Sequence, residues 1–171
     1  LIACQWARAL GVTMIGTVGS DEKAELAKAH GCVHTINYNK ENFVERVKEI
    51  TGGKGVPVVY DSIGKDTFTG SLDCLAPLGM LVSFGGASGP VPPFSLNELA
   101  SRGSLFVTRP SLFNYIARRD DLETMAAELF GMVESGKIKI GINQRYALKD
   151  VAQAHRDLES RQTTGSTILL P

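Results

Sequence analysis

Gly19, Ser20, Lys23 and Tyr38 are residues whose types and spacing suit one definite task, the capture of a phosphate. A glycine lets a ligand approach backbone N–H groups, serine and tyrosine each offer a hydroxyl, and lysine brings a full positive charge. Val12 to Val18 is a β-branched, apolar run that ends on Gly19-Ser20. Asp21, Glu22 and Lys23 then open a run of strong helix formers that closes on Gly31. Strand, tight turn and helix in that order place free N–H groups at a helix N-terminus, where anions bind. Tyr38 ends the next β-like run, Val33 to Tyr38, and neighbouring parallel strands bring such tips together.

A carboxylate at this strand tip would bind ribose hydroxyls and repel a phosphate in their place. The tip reads Thr17-Val18-Gly19-Ser20, and the first acid, Asp21, already belongs to the helix. The pattern therefore favours a nicotinamide dinucleotide with a 2′-phosphate, NADPH, over NADH. The alternative readings are a solvated surface lysine for Lys23, which Asp21 beside it favours, and an amphipathic sheet-edge side chain for Tyr38.

Two other tips are candidates for the same ligand. Ser62-Ile63-Gly64 follows one apolar run, and Phe84-Gly85-Gly86 follows another, where glycines permit close approach. Both also suit ordinary turns. Arg109, in Thr108-Arg109-Pro110-Ser111, directly follows a buried strand and needs a partner or solvent; an ion pair at a domain boundary is the alternative to a site role. His30, His34 and His155 are far apart, and neither Cys-x-x-Cys, His-Glu-x-x-His nor a G-x-S-x-G elbow occurs. His30 and His155 read as core or boundary residues, and Met125 and Met132 as packing residues. No catalytic and no metal-binding residue emerges, and hydride transfer needs none from this part because the cofactor carries the reaction.

The elements that position these tips alternate. Residues 1–10 read as an apolar helix closed by Gly11, and 42–50 as a helix with Asn39 as its cap. Residues 56–62 form a buried strand with Pro57 at or before its first residue. Asp66 caps a helix that turns Phe68, Leu72 and Leu75 inward and ends at Pro77; strands follow at 80–86 and 105–110. The result is a doubly wound α/β layer with a mostly parallel sheet. Leu122, Met125, Ala126, Leu129, Phe130 and Val133 then mark a long amphipathic helix. Asp150 with Gln153 suggests a capping box for a last helix, and residues 166–171 a last strand.

The 171 residues carry 18 basic and 18 acidic side chains, so no general field attracts nucleic acid or an anionic membrane. No apolar run is long enough to span a bilayer. Three cysteines, one per expected element, argue for reduced thiols and a cytoplasmic protein. An apolar helix with neither methionine nor cap at the very start implies a chain that begins partway through a larger protein. In the 3-2-1-4-5-6 order the first strand seen here would be the second, so the sheet is expected to lack its central strand. A protein limited to these residues should then melt broadly, without cooperativity.

In combination, IGTVGSDEKAELAKAHG, INY at 36–38, VVYDSIG at 58–64, SLDCLAPLGMLVSFGGASG at 71–89, SLFVTRPSL at 104–112 and STILLP resemble the zinc-independent quinone oxidoreductases of the medium-chain dehydrogenase/reductase superfamily, in particular the zeta-crystallin-like branch. The resemblance implies a Rossmann domain over 1–136, lacking its first strand and glycine-rich turn, and a returning part of a GroES-like catalytic domain over 137–171. It implies that Lys23 and Tyr38, with Gly19 and Ser20, clamp the 2′-phosphate of NADPH. Ser62 would lie near the adenosine part, Phe84, Gly85 and Gly86 along the cofactor, Pro110 and Ser111 at the nicotinamide end, and Arg161 would reach in from the final crossing. The implied reaction is reduction of a quinone by hydride or single-electron transfer, in a homodimer paired through the strand Leu105–Thr108. An enoyl or alkenal double-bond reductase of the same superfamily and a non-catalytic NADPH-binding or structural protein are the alternatives.

Overall fold

The computed structural model describes all residues, 1–171. Helix α1 (Ile2–Ala9) leads through Gly11, at φ +70°, to β1 (Ile15–Val18). Helix α2 (Asp21–Ala29) returns to β2 (His34–Asn37), which pairs parallel to β1 with Ile15 facing His34 and Val18 facing Asn37. Helix α3 (Phe43–Ile50) crosses to β3 (Val56–Asp61). Helix α4 (Phe68–Asp73), β4 (Leu75–Ser83), α5 (Asn97–Ser101) and β5 (Phe106–Thr108) complete a second parallel ladder in the order β3-β4-β5. The α/β layer is thus the doubly wound, parallel one expected.

The two ladders exchange no strand hydrogen bonds, and the break between β1 and β3 falls where the doubly wound order places its first strand. A shared apolar cluster nevertheless ties them together. Ile36, Val47 and Cys74 are buried in it, with Ile15 of β1 and Val56 and Val59 of β3 packed around them. A larger cluster of Phe68, Leu72, Leu75, Leu81 and Leu105 lies between α4 and the second ladder. On the other face of that ladder, Val58, Met80 and Phe106 stand in one register row and all are exposed.

Several local expectations need correction. Asn42, not Asn39, caps α3, its Oδ1 accepting from the N–H groups of Val44 (2.9 Å) and Glu45 (3.4 Å). Asp66 does not cap α4; Thr67 precedes that helix and its hydroxyl turns to Asp61. The helix stops at Asp73, so Leu75 and Pro77 belong to β4, where Ala76–Gly79 bulge out between the pairs Val56–Leu75 and Val58–Met80. Pro57 is the second residue of β3, opposite this irregularity, where its missing N–H breaks no ladder bond.

Beyond β5 come α6 (Leu112–Tyr115), α7 (Arg119–Glu134), β6 (Ile142–Ala147), a 3-10 turn at Leu148–Asp150, α8 (Val151–Glu159) and β7 (Ser166–Leu170), which pairs parallel to β6. No residue of α7 is fully buried: Ala126, Leu129, Met132 and Val133 are half-buried while Leu122, Met125 and Phe130 are exposed, so its apolar stripe is only partly covered within this chain. Asp150 is the N-cap of α8 but makes no side-chain cap bond, and the Gln153 side chain bonds Asp157 and Arg156 rather than reaching back; the capping box does not form. His155 is exposed, not a core residue, whereas His30 is half-buried with Nδ1 2.7 Å from the Leu26 carbonyl. The segment is anchored to the α/β layer by buried Gln5, whose side chain accepts from the Lys139 N–H (2.9 Å) and donates to its carbonyl (3.0 Å), with Ile138 buried alongside. Cys4, Cys32 and Cys74 are all free and buried; burial pushes the Cys32 thiol up and the Cys74 thiol up to about 11, so both stay protonated at neutral pH.

Candidate functional site

The tips of β1 and β2 meet as the strand order requires. Ser20 caps α2, accepting from the Lys23 N–H (3.3 Å), and its hydroxyl also lies against the Glu22 carboxylate, which it helps to hold below the usual carboxylate range. Gly19 lies directly under Tyr38: a Cβ there would come within 2.6 Å of the Tyr38 hydroxyl. Asn39, which misses its expected capping role, instead donates from Nδ2 to the Gly19 carbonyl (2.7 Å) and fixes that turn.

Lys23 donates from Nζ to the carbonyl of Arg161 at 3.0 Å, across 138 residues of sequence. Arg161 follows α8 in a left-handed conformation, φ +61°, unusual for a residue with a Cβ. Arg161 is thereby brought to the tip that holds Gly19, Ser20, Lys23 and Tyr38. Neither Lys23 nor Arg161 is paired with a carboxylate. Asp21, the acid that weighed against a phosphate, accepts from Asn37 Nδ2 (2.8 Å) and Lys40 Nζ (2.5 Å), and these bonds hold its carboxyl below the usual carboxylate range. A hollow of about 340 Å³ at the other edge and one of about 320 Å³ here bracket the layer. The latter is lined by Leu1 and Cys4 of α1's N-terminal end, Gly16–Val18, Lys23 and Thr163–Gly165 among others.

The tips of β3 and β4 form a second junction. A Cβ on Gly85 would fall 2.3 Å from the Ser62 carbonyl oxygen, so only glycine lets the two backbones touch. Beneath Ser62, the buried Asp61 carboxylate accepts four hydrogen bonds: from the N–H groups of Ile63 (2.8 Å) and Gly64 (3.0 Å) and the hydroxyls of Thr67 and Ser71 (both 2.8 Å). Burial raises its pKa, but these bonds outweigh that and leave it lowered. Phe84, just past β4, is exposed beside Gly85 and Gly86.

Arg109 forms no ion pair, contrary to the alternative reading. Its guanidinium leans back and donates to the carbonyls of Ser83 (3.0 Å) and Gly85 (2.6 Å), satisfying two acceptors at the end of β4. Pro110 and Ser111 line the 340 Å³ hollow with Thr108, Arg109, Asn114 and Tyr115. The structure thus gathers Gly19, Ser20, Lys23, Tyr38 and Arg161 at one tip, joins Ser62 to Gly85 at the next, and keeps Pro110 and Ser111 beyond them. Asp61, Asn39 and Lys40 act on these tips without having stood out in the sequence; a buried acid at a strand end, as in VVYDSIG, was the signal available for the first.

Zinc-binding dehydrogenases, as a family, match residues 1–130, and the chain belongs to that family. Several similar proteins are quinone oxidoreductases, the group that its motifs resemble. It is 59% identical over its whole length to a quinone oxidoreductase of Pseudomonas aeruginosa, covering 53% of that protein. It is 50% identical to a 2-haloacrylate reductase from a Burkholderia species, over 99% of the chain and 51% of the relative. The crystal structure of an Escherichia coli quinone oxidoreductase complexed with NADPH superimposes with a TM-score of 0.95 at 53% identity, over 99% of this chain and 53% of that one. The chain therefore spans about half the length of the relatives it matches. In this chain no three His, Cys, Asp or Glu side chains are placed to share a metal ion. No helix is long and apolar enough to cross a membrane.

Proposed function

We propose that this chain is the cofactor-binding part of an NADPH-dependent quinone reductase, residues 1–136 forming the Rossmann-type domain and 137–171 a returning piece of the catalytic domain. The observation that carries the reading is that Lys23 stands at the first tip beside two hydroxyls and is paired with no carboxylate. Lys23, the hydroxyls of Ser20 and Tyr38, and the Gly19 turn converge with the Arg161 backbone; of the two acids in the first turn of α2, Asp21 is bonded to Lys40 and Asn37 and Glu22 lies against the Ser20 hydroxyl. Such a donor set fits a 2′-phosphate. Ser62 would lie along the adenosine part, Phe84, Gly85 and Gly86 along the cofactor, and Pro110 and Ser111 at the nicotinamide end. Bound there, NADPH would supply the hydride; these residues bind and orient it, and Arg109 holds the glycine wall in place.

Quinone as acceptor rests on the relatives named for it. The Burkholderia relative, named for an unsaturated acid, favours alkene reduction as a second reading, and an acceptor screen with quinones and enals separates the two. The free edge of β5, with Phe106 exposed, suits pairing with a second copy through Leu105–Thr108. Three free, buried thiols suit the cytoplasm.

Fluorescence titration of the intact protein with NADPH and with NADH tests the cofactor assignment. NADPH should bind at least about tenfold more tightly, about 1.4 kcal/mol. Lys23→Ala should raise KM for NADPH and barely move that for NADH. Equal affinity for the two cofactors, or equal effects of the substitution, would overturn the assignment.

A further inference from the structure

The helix that caps the phosphate tip carries an acid at its first position. Asp21 is adjacent in sequence to Ser20 and two positions from Gly19, so its negative charge sits on the same turn as the donors. A free carboxylate there would bind ribose hydroxyls and repel a phosphate dianion. The structure deals with this acid by two contacts from β2 and the loop after it. Asn37 is buried and donates from Nδ2 to Asp21 Oδ1 (2.8 Å), while its own Oδ1 accepts from the Asn39 N–H (3.1 Å), which fixes the amide's orientation. Lys40 donates to the other carboxylate oxygen at 2.5 Å.

Exposed ion pairs are weak and fluctuate, and both members of this one are more than half exposed. Here the carboxylate is also held from the protein side by a buried amide, so Lys40 meets an anchored partner. The neighbouring charges are otherwise engaged or point elsewhere. Glu41 faces Arg46 (2.8 Å) and Asn37 N–H (3.3 Å), and Lys23 turns its ammonium to Arg161 rather than to Asp21. Glu22, next on the helix, has its carboxyl lowered chiefly by a hydrogen bond from the Ser20 hydroxyl, with Lys40 adding its field.

We infer that Lys40 and Asn37 are specificity-determining positioning residues: by holding the Asp21 carboxylate they suppress an NADH-type ribose acceptor at the strand tip and make room for a 2′-phosphate. The inference rests on the reading of that tip as the phosphate site. It assigns to Lys40 an effect exerted through Asp21, not by contact with the cofactor.

The test uses the intact protein, titrated with NADPH and NADH, and the variants Lys40→Met, Asp21→Asn and the double variant. Lys40→Met should weaken NADPH by about fivefold at low ionic strength while leaving NADH unchanged or tighter, and the loss should shrink with added salt. Adding Asp21→Asn to Lys40→Met should restore NADPH affinity, because the released charge is gone. A structural role for Lys40 would lower the melting temperature and weaken both cofactors together, which overturns the inference. Failure of Asp21→Asn to rescue also overturns it, since Lys40 would then act on the phosphate itself. If the unaltered protein binds both cofactors equally, the phosphate tip itself is refuted; if it prefers NADPH and Lys23→Ala abolishes that while Lys40→Met does nothing, this inference alone fails.

Discussion

Replacing Asp61 by Asn separates the support of the cofactor wall from the wall itself. The carboxylate receives four short hydrogen bonds, two from backbone N–H groups at the β3 tip and two from hydroxyls at the start of α4. A hydrogen bond to a charged group contributes roughly 1.5–3 kcal/mol against 0.5–1.5 for a neutral one. Asparagine keeps an oxygen for Ile63 and Gly64, but its NH₂ faces Thr67 and Ser71, whose hydroxyls must rotate to accept. The expected loss is about 2–4 kcal/mol in the intact protein, read as a lower Tm. Because the carboxyl's pKa is lowered in the fold, its contribution is complete above the unfolded value and fades as pH falls through the folded one. Urea unfolding followed by circular dichroism should show a constant gap between the two proteins from pH 7 to about pH 5, narrowing towards pH 3. No gap at neutral pH, or one that persists undiminished in acid, would refute the assignment of a charged anchor. Ser62 rides on this anchor, so NADPH affinity should fall together with stability.

Gly85→Ala should do worse, because its Cβ would meet the Ser62 backbone at 2.3 Å, and neither partner is a flexible side chain; Tm and NADPH binding should both drop. Gly131→Ala, on α7 with nothing within 4 Å of the new Cβ, should instead stabilise by about 0.5–1 kcal/mol in the same denaturation assay. Arg109→Met removes the two donors to Ser83 and Gly85, and should weaken NADPH and NADH alike, in contrast to Lys23→Ala. An NADPH-selective loss from Arg109→Met would show that it contacts the phosphate end instead.

The strand–turn–helix around Gly19 was legible because everything that makes it is local: a β-branched run, a Ser20 cap bonding three residues ahead, and helix formers closed by a glycine. The α3 cap was ambiguous for a physical reason. Asn39 and Asn42 both precede the same helix, and only the loop path decides that Asn42 reaches the N–H groups of Val44 and Glu45 while Asn39 reaches Gly19. Pro77 stood as a helix breaker, yet the helix had already ended at Asp73 and the proline lies in a bulge.

The sequence by itself determined the alternation of elements, the parallel layer, and that the first acid after β1 is Asp21, the first residue of the helix, since these follow from periodicity and residue type over a few neighbours. Tertiary structure alone decided the partners of each polar side chain. It tied Asp21 to Lys40 and Asn37, carried Arg161 to Lys23 across most of the chain, and folded Arg109 back onto β4. Such pairings depend on strand register and loop course, and a side chain's charge shows only what it needs, not which distant group the fold brings within 3 Å.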